Sequence, residues 1–167
     1  VLCQEHKLHG QALADFETWS GSRGWKVVAC QAKPGKGIGA SGGTAIIARQ
    51  WIGVLPQPTA TIDLQFDNRV VFAEVEIPDY GIIDMMSLYL LDGDGMGHFN
   101  SQCLAAVGQL LEGRTRPLLI CGDFQQSPQD MHHSNFAQKL QAEWVYSSGE
   151  WGTNRTAIGT FTCIDFF

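Results

Sequence analysis

The chain has 167 residues, of which 44% are hydrophobic, 10% are aromatic and 17% are charged. This length suits one domain with a substantial core, and the composition excludes a disordered linker and a coiled coil. The 11 basic and 17 acidic residues give a net charge of −6, whereas a fold that binds nucleic acid by charge alone is usually basic, so any phosphate chemistry must come from a local site or a bound metal.

Short β-rich segments punctuated by turn residues run the whole length of the chain. Strands are predicted where apolar, β-branched and aromatic residues cluster: residues 1–4, 25–30, 44–49, 60–66, 69–77, 82–90, 116–124 and 161–167. The pair Asp67–Asn68 favours a turn, so the segments on either side of it are predicted to form a hairpin. The glycine-rich segment 33–43 is predicted to be a loop.

Helices are predicted where apolar residues recur every three or four positions. The first carries Leu13, Phe16 and Trp19 on one face and stops at a glycine. The second is capped by Asn100 or Ser101, buries Leu104, Val107 and Leu110 or Leu111, and stops at Gly113. The third carries Phe136, Leu140 and Trp144.

The order of these elements decides the fold class. Strands outnumber helices, and the helices fall between groups of strands, which predicts an α/β (α+β) fold with sheets covered by helices. No composition shift or linker divides the chain, so residues 1–167 are interpreted as a single domain. No apolar run approaches the roughly 18 residues that a membrane span needs.

Three carboxylates stand at or in predicted strands. Glu5 follows the first strand, Asp123 follows the apolar run "LLICG", and Asp165 lies in the last strand. If they meet in a cleft, they repel one another unless a divalent cation lies between them, and oxygen ligands favour magnesium or manganese over zinc. The alternative is that each is an ordinary strand-end carboxylate that faces water.

Five short motifs, in order, make the chain similar to the endonuclease/exonuclease/phosphatase superfamily, which has a deoxyribonuclease-I-like fold. They are "VLCQEHKL", "SGGTAIIAR", "SLYL", "PLLICGDFQQSP" and "CIDFF". Among the members, retrotransposon and abasic-site endonucleases resemble the chain most. The resemblance implies a four-layer sandwich of two packed, mostly antiparallel β-sheets flanked by helices. It also implies magnesium- or manganese-dependent hydrolysis of phosphodiester bonds, with nucleic acid or another phosphate ester as the partner.

The resemblance also implies a role for each matching residue. Glu5 is expected to ligate the metal, and Asp123 to orient and deprotonate the attacking water. Tyr89 is expected to donate a hydrogen bond to the phosphate, and Asp165 to orient a histidine that stabilises its charge. Gln125 stands where the family has asparagine, and its side chain is one methylene longer. Tyr89 as a plain strand-end aromatic and Asp165 as an acceptor of backbone hydrogen bonds remain alternatives.

Two family motifs have no counterpart in the chain. An asparagine on the first strand is expected before Val1, and a Ser-Asp-His motif after Phe167. The chain therefore looks like an incomplete domain, truncated at both ends, that is weakly active or inactive and self-associates through open sheet edges. A phosphomonoesterase of the same family, acting on lipid or nucleotide phosphates, is one alternative. A catalytically dead relic that serves as a binding module is another, and a third is an unrelated α/β protein with structural carboxylates.

Three other motifs give weaker evidence of a functional site. Residues 37–42 spell G-x-G-x-x-G, but a β-rich segment follows where a dinucleotide site needs a helix. Residues 92–95 lack the glutamate that closes a calcium loop. Adjacent His132 and His133 point to different sides of a helix, which favours a solvated face. Five cysteines without C-x-x-C spacing indicate free thiols and an intracellular location, cytoplasmic or nuclear.

Overall fold

The computed structural model describes residues 1–35, 39–57 and 66–146, and the backbone of 154–155, 161–162 and 165–166. The chain forms two compact units. Unit 1 comprises Val1–Tyr89 and Thr115–Ile120, and unit 2 comprises Leu90–Arg114 and Cys121–Phe167.

The elements of the first part of the chain, in order, are β1 (Leu2–Cys3), α1 (Gly10–Gly21), β2 (Trp25–Ala29), β3 (Lys33–Pro34), β4 (Ala40–Ser41), β5 (Ala45–Arg49), β6 (Val54–Pro56), β7 (Val70–Ile77) and β8 (Gly81–Tyr89). The later elements are α2 (His98–Leu111), β9 (Leu118–Asp123), α3 (Pro128–His133), α4 (Phe136–Lys139), β10 (Asn154–Arg155), β11 (Phe161–Thr162) and β12 (Asp165–Phe166).

Unit 1 is a sandwich of two antiparallel sheets. One sheet has the strand order β1–β5–β2, and in the other β7 lies between β6 and β8. Alternate residues of β7, Val71, Ala73 and Val75, pack with Ile46 of β5 to form the core between the sheets. Helix α1 packs against β2. The α+β class and the packed antiparallel sheets are thus confirmed.

A charged cluster covers part of the second sheet of unit 1. Glu74 of β7 stands directly opposite Asp84 of β8, and both carboxylates form ion pairs with Arg116. The side chain of Asp84 is only 1% exposed and that of Glu74 17%, whereas that of Arg116 is 43% exposed. The guanidinium thus separates two like charges that face each other across the strands.

We expect Arg116→Met to lower the free energy of unfolding by about 2 kcal/mol, because two largely buried carboxylates then lose their shared cation. Urea denaturation measures the loss. Adding Asp84→Asn to Arg116→Met should restore about half of it, whereas Arg23→Met, which removes an exposed arginine, serves as the control. An unchanged midpoint for Arg116→Met would show that the cluster does not stabilise the sheet.

In unit 2 the long helix α2 begins differently from the prediction. It starts at His98, and the Asp94 carboxylate accepts a hydrogen bond from the Asn100 backbone N–H (2.9 Å). Asn100 lies inside the helix, fully buried, and its carboxamide bonds the backbone of Leu91 and Gly95. The predicted cap at Asn100 or Ser101 is therefore wrong. The predicted stop is confirmed, because the helix ends at Leu111 and Gly113 has a φ of +75°.

Other predictions differ from the structure in extent. The helix predicted through Phe136, Leu140 and Trp144 is only the short α4, because Gln141 after it has a left-handed φ of +55°, and the separate helix α3 precedes it. The predicted loop 33–43 contains the ladder β3–β4. A turn does occupy residues 67–69, but Phe66 is not in a strand, and residues 60–65 of the predicted hairpin lie outside the described residues.

Candidate active site

Asp123 is the last residue of β9, and its carboxylate accepts two hydrogen bonds from Gln125. We call this pair of hydrogen bonds the clamp. The Gln125 backbone N–H donates to Oδ1 (3.1 Å), and the side-chain Nε2 donates to Oδ2 (2.7 Å). Gln125 adopts a left-handed φ of +53°, which turns the chain back toward the carboxylate. The two hydrogen bonds thus hold the carboxylate in one orientation.

The residues around this clamp hold it in place. Phe124 is fully buried and meets the Trp144 ring edge-on, with centroids 5.3 Å apart. Ser127 caps α3 by accepting from the Asp130 N–H, and its hydroxyl donates to the Asp130 carboxylate. The backbone N–H of Leu90 donates to the carbonyl of Asp123 (2.9 Å). The loop after β9 is therefore anchored on both sides of Gln125.

Asp165 occupies a defined register position in the same unit. Strand β12 pairs antiparallel with β9, and Asp165 stands directly opposite Asp123, with Phe166 opposite Gly122. The backbone thus brings two of the predicted site residues, Asp123 and Asp165, to one point of the ladder.

Glu5 lies in unit 1, two residues after the end of β1, in a segment that is hydrogen-bonded to the end of β8. The Gln4 carboxamide donates to Ser87 Oγ (2.9 Å), and that hydroxyl donates to the carbonyl of Cys3 (3.1 Å). Tyr89 is two residues beyond Ser87, so the segments that carry Glu5 and Tyr89 meet at this point. Ser87 was not singled out from the sequence, although it belongs to the "SLYL" motif.

The Glu5 carboxylate itself is accessible. Its side chain is 37% exposed and forms an ion pair with the exposed Lys7 ammonium, at 3.5 Å. An ion pair this exposed is worth little and is readily displaced by a metal ion. The chemistry of the carboxylate therefore fits a ligand of magnesium or manganese. Among the residues that the structure describes, however, no three His, Cys, Asp or Glu side chains converge.

His6, next to Glu5, is a structural element that the sequence analysis did not assign. Its Nδ1 accepts from the Leu8 N–H (3.0 Å), so the proton resides on Nε2, which donates to the carbonyl of Cys30 (3.1 Å). Burial lowers the pKa of His6, which favours this neutral form. The ring lies against Gly43, where a Cβ would come within 2.5 Å of it. His6 thereby locks the loop that presents Glu5 onto the Gly42–Gly43 segment.

Tyr89 is enclosed rather than exposed. Its side chain is 4% exposed, and the guanidinium of Arg69 lies 4.6 Å from its ring centroid. The Arg69 guanidinium also donates a hydrogen bond to Ser41 Oγ (3.4 Å). The backbone N–H of Tyr89 donates to the backbone carbonyl of Arg69. The tyrosine ring is thus buried against a positively charged side chain.

Known structures share this architecture. No protein-family model matches the sequence. No curated protein matches it. The human Nocturnin catalytic domain with bound sulfate matches 90% of the chain with a TM-score of 0.61 at 18% identity, and the chain spans only 62% of that structure. D. rerio TDP2 complexed with single-strand DNA product matches 99% of the chain and 68% of its own, with a TM-score of 0.56 at 14% identity.

A third matching structure is that of a protein with an assigned family. An endonuclease/exonuclease/phosphatase family protein from Bacteroides thetaiotaomicron matches 99% of the chain and 80% of its own, with a TM-score of 0.54 at 12% identity. The chain has the endonuclease/exonuclease/phosphatase fold. The resemblance of the five sequence motifs to this superfamily is thus confirmed at the level of the fold. Among the described helices of this endonuclease/exonuclease/phosphatase fold, none is long and apolar enough to cross a membrane.

Proposed function

We propose that the chain carries a metal-dependent, endonuclease-like centre that hydrolyses phosphodiester bonds in nucleic acid. The observation that carries the proposal is the Asp123 carboxylate, held by two hydrogen bonds from Gln125 at the end of a strand. Oriented carboxylates of this kind serve as general bases, because proton transfer needs fixed geometry. The fold supports the reaction class, and the DNA product in the TDP2 structure supports nucleic acid as the substrate.

The roles proposed for the other residues follow from their surroundings. Gln125 keeps Asp123 aimed at the attacking water, and its extra methylene lets Nε2 reach Oδ2 at 2.7 Å. Tyr89, beside the Arg69 guanidinium, donates a hydrogen bond to a phosphate oxygen. Asp165, opposite Asp123 in the β9–β12 ladder, orients a charge-stabilising group.

Glu5 is proposed as the metal ligand. Magnesium or manganese, when bound, neutralises charge on the phosphate oxygens. The carboxylate of Glu5 is partly exposed, and the Gln4–Ser87 and Ser87–Cys3 hydrogen bonds fix the backbone that precedes it. The left-handed φ of +52° at Glu5 turns the chain at that residue.

A substrate panel tests the proposal directly. Purified chain is incubated with supercoiled plasmid, single-strand DNA, an aryl phosphodiester and an aryl phosphomonoester, each with Mg²⁺, Mn²⁺ or EDTA. We expect cleavage of the diesters that EDTA abolishes. Release of phosphate from the monoester alone would favour the phosphomonoesterase alternative. No turnover of any substrate by folded chain would contradict a catalytic centre and favour a binding module.

The metal role of Glu5 has its own readout. We expect Glu5→Gln to raise the Mn²⁺ concentration needed for half-maximal diester cleavage by tenfold or more, because one charged ligand is lost. Glu17→Gln, on the exposed face of α1, is the matched control and should leave the titration unchanged. Equal Mn²⁺ dependence of the two variants would remove Glu5 from the metal site.

A further inference from the structure

A cavity lies in unit 2, and the proposed hydrolysis does not use it. It is formed by α3, α4 and residues 142–146, and its volume is about 480 Å³, within the range of about 300–1,000 Å³ typical of small-molecule sites. Its polar lining includes His132, His133, Gln138 and Glu143. Two aromatic side chains, those of Trp144 and Tyr146, complete it.

One aromatic wall of this cavity is firmly supported. The Trp144 ring meets Phe124 edge-on, and its centroid lies 6.2 Å from that of Phe136. Phe124 is fully buried and Phe136 is 6% exposed. The indole is therefore packed against the core of unit 2 while it also lines the cavity. Tyr146 is 50% exposed and offers a second ring at the surface.

The charges of the lining argue against an anionic ligand. Among the described residues that line the cavity, none is lysine or arginine, and one, Glu143, is acidic. Among these described residues, a phosphate or carboxylate group would meet no permanent positive charge. The carboxamides of Gln129 and Gln138 and the two imidazoles instead offer paired donors and acceptors. Flat aromatic walls together with such edges suit a neutral, planar, hydrogen-bonding ring.

We propose that this cavity binds a nucleobase, which stacks on Tyr146, with Trp144 as the other aromatic wall, and hydrogen-bonds to the polar edge made by Gln138 and the histidines. Its position along the chain is consistent with this role, because α3 begins at Pro128, three residues after Gln125. The inference goes beyond the proposed function, because a nucleoside without phosphate is sufficient to occupy the cavity.

Nuclear magnetic resonance of the full ¹⁵N-labelled chain tests the proposal with four nucleosides, adenosine, guanosine, cytidine and uridine. The indole N–H signal of Trp144 is identified by its disappearance in Trp144→Phe. We expect at least one nucleoside to shift this signal saturably, while that of the exposed Trp51 in unit 1 stays in place. Ribose and inorganic phosphate are the matched ligands, and neither should shift the Trp144 signal.

Variants show whether binding uses the lining. Tyr146→Ala and Gln138→Ala should each weaken nucleoside binding, the first by about 5-fold or more, since loss of an aromatic–base stack has at least that effect. Tyr80→Ala, at a tyrosine that is 85% exposed and lies in unit 1, is the control and should bind as the wild type.

Three outcomes would overturn the proposal. The first is that no nucleoside shifts the Trp144 signal, and the second is that phosphate or ribose shifts it as strongly as a nucleoside. The third is nucleoside binding that both lining variants leave unchanged. Asp123→Asn should retain nucleoside binding, so a loss of hydrolysis and a loss of base binding are measured separately.

Discussion

Asp123→Asn is expected to lower the rate of phosphodiester cleavage by about 10²–10⁴-fold, the contribution typical of a general base, with little change in stability. Asparagine has the same shape, so its oxygen can keep the hydrogen bond from the Gln125 backbone N–H at the Oδ1 position. Its amide group then occupies the Oδ2 position and donates to Gln125 after that side chain flips by 180°. The clamp survives, and only the ability to take a proton is lost.

The measurement pairs initial rates on a DNA diester with urea denaturation of the same preparation. Asp15→Asn, at an exposed carboxylate on α1 that is bonded to Gln11, is the matched control and should keep the wild-type rate. Activity of Asp123→Asn within about threefold of the wild type would exclude Asp123 as the base. A large drop in the denaturation midpoint would instead assign Asp123 a structural role.

The strand that carries Asp123 was predictable because its signal is local. A nearly continuous apolar run ends at a glycine and an acid, and β9 does end at Asp123. The hydrogen bonding of Gln125 to the Asp123 carboxylate was not predictable. From the sequence, the extra methylene is only a departure from the family. In the structure it closes the clamp, because the left-handed backbone at Gln125 folds the side chain back on Asp123.

The predictions that failed depend on contacts a periodic pattern does not contain. Apolar spacing joins Phe136 to Trp144, but Asn135 and Gln141 both adopt left-handed conformations, so α4 ends at Lys139 and Trp144 packs from outside it. The cap of α2 comes from Asp94, outside the helix. Side-chain competition for backbone groups decides helix ends, and this competition is set by the fold of the preceding loop.

The support of Glu5 was missed for a similar reason. The position of Glu5 after a strand indicated its role, but the loop that holds it depends on Gly43 and Asn68, which lie 38 and 63 positions further along the chain. Two backbone hydrogen bonds link this loop to distant segments. The backbone N–H of His6 donates to the carbonyl of Gly43 (3.1 Å), and the backbone N–H of Gly43 donates to the carbonyl of Asn68 (2.8 Å). Only the folded chain brings these segments together.

Gly43→Ala is expected to lower the free energy of unfolding by about 2–4 kcal/mol, for two reasons. Gly43 has a φ of +83°, which an alanine adopts only at a cost. Its added Cβ would also lie 2.5 Å from Cε1 of His6. The imidazole cannot easily retreat, because Leu8 and Cys30 hold its two nitrogens. The variant should therefore shift the loop that carries Glu5 as well as weaken the fold.

A matched glycine separates the two causes. Gly24 has a similar φ of +78°, but a Cβ there would meet no atom within 4 Å, so Gly24→Ala should cost only about 1 kcal/mol of backbone strain. In a His6→Ala background, the free-energy cost of Gly43→Ala should fall to about that of Gly24→Ala, because the clashing ring is gone. Urea denaturation of the wild type, His6→Ala, Gly43→Ala and the double variant completes the double-mutant cycle. An equal loss in the free energy of unfolding for Gly24→Ala and Gly43→Ala in the wild-type background would mean that the His6 ring moves away from the added Cβ. The imidazole would then not be the rigid link between Glu5 and the glycine pair.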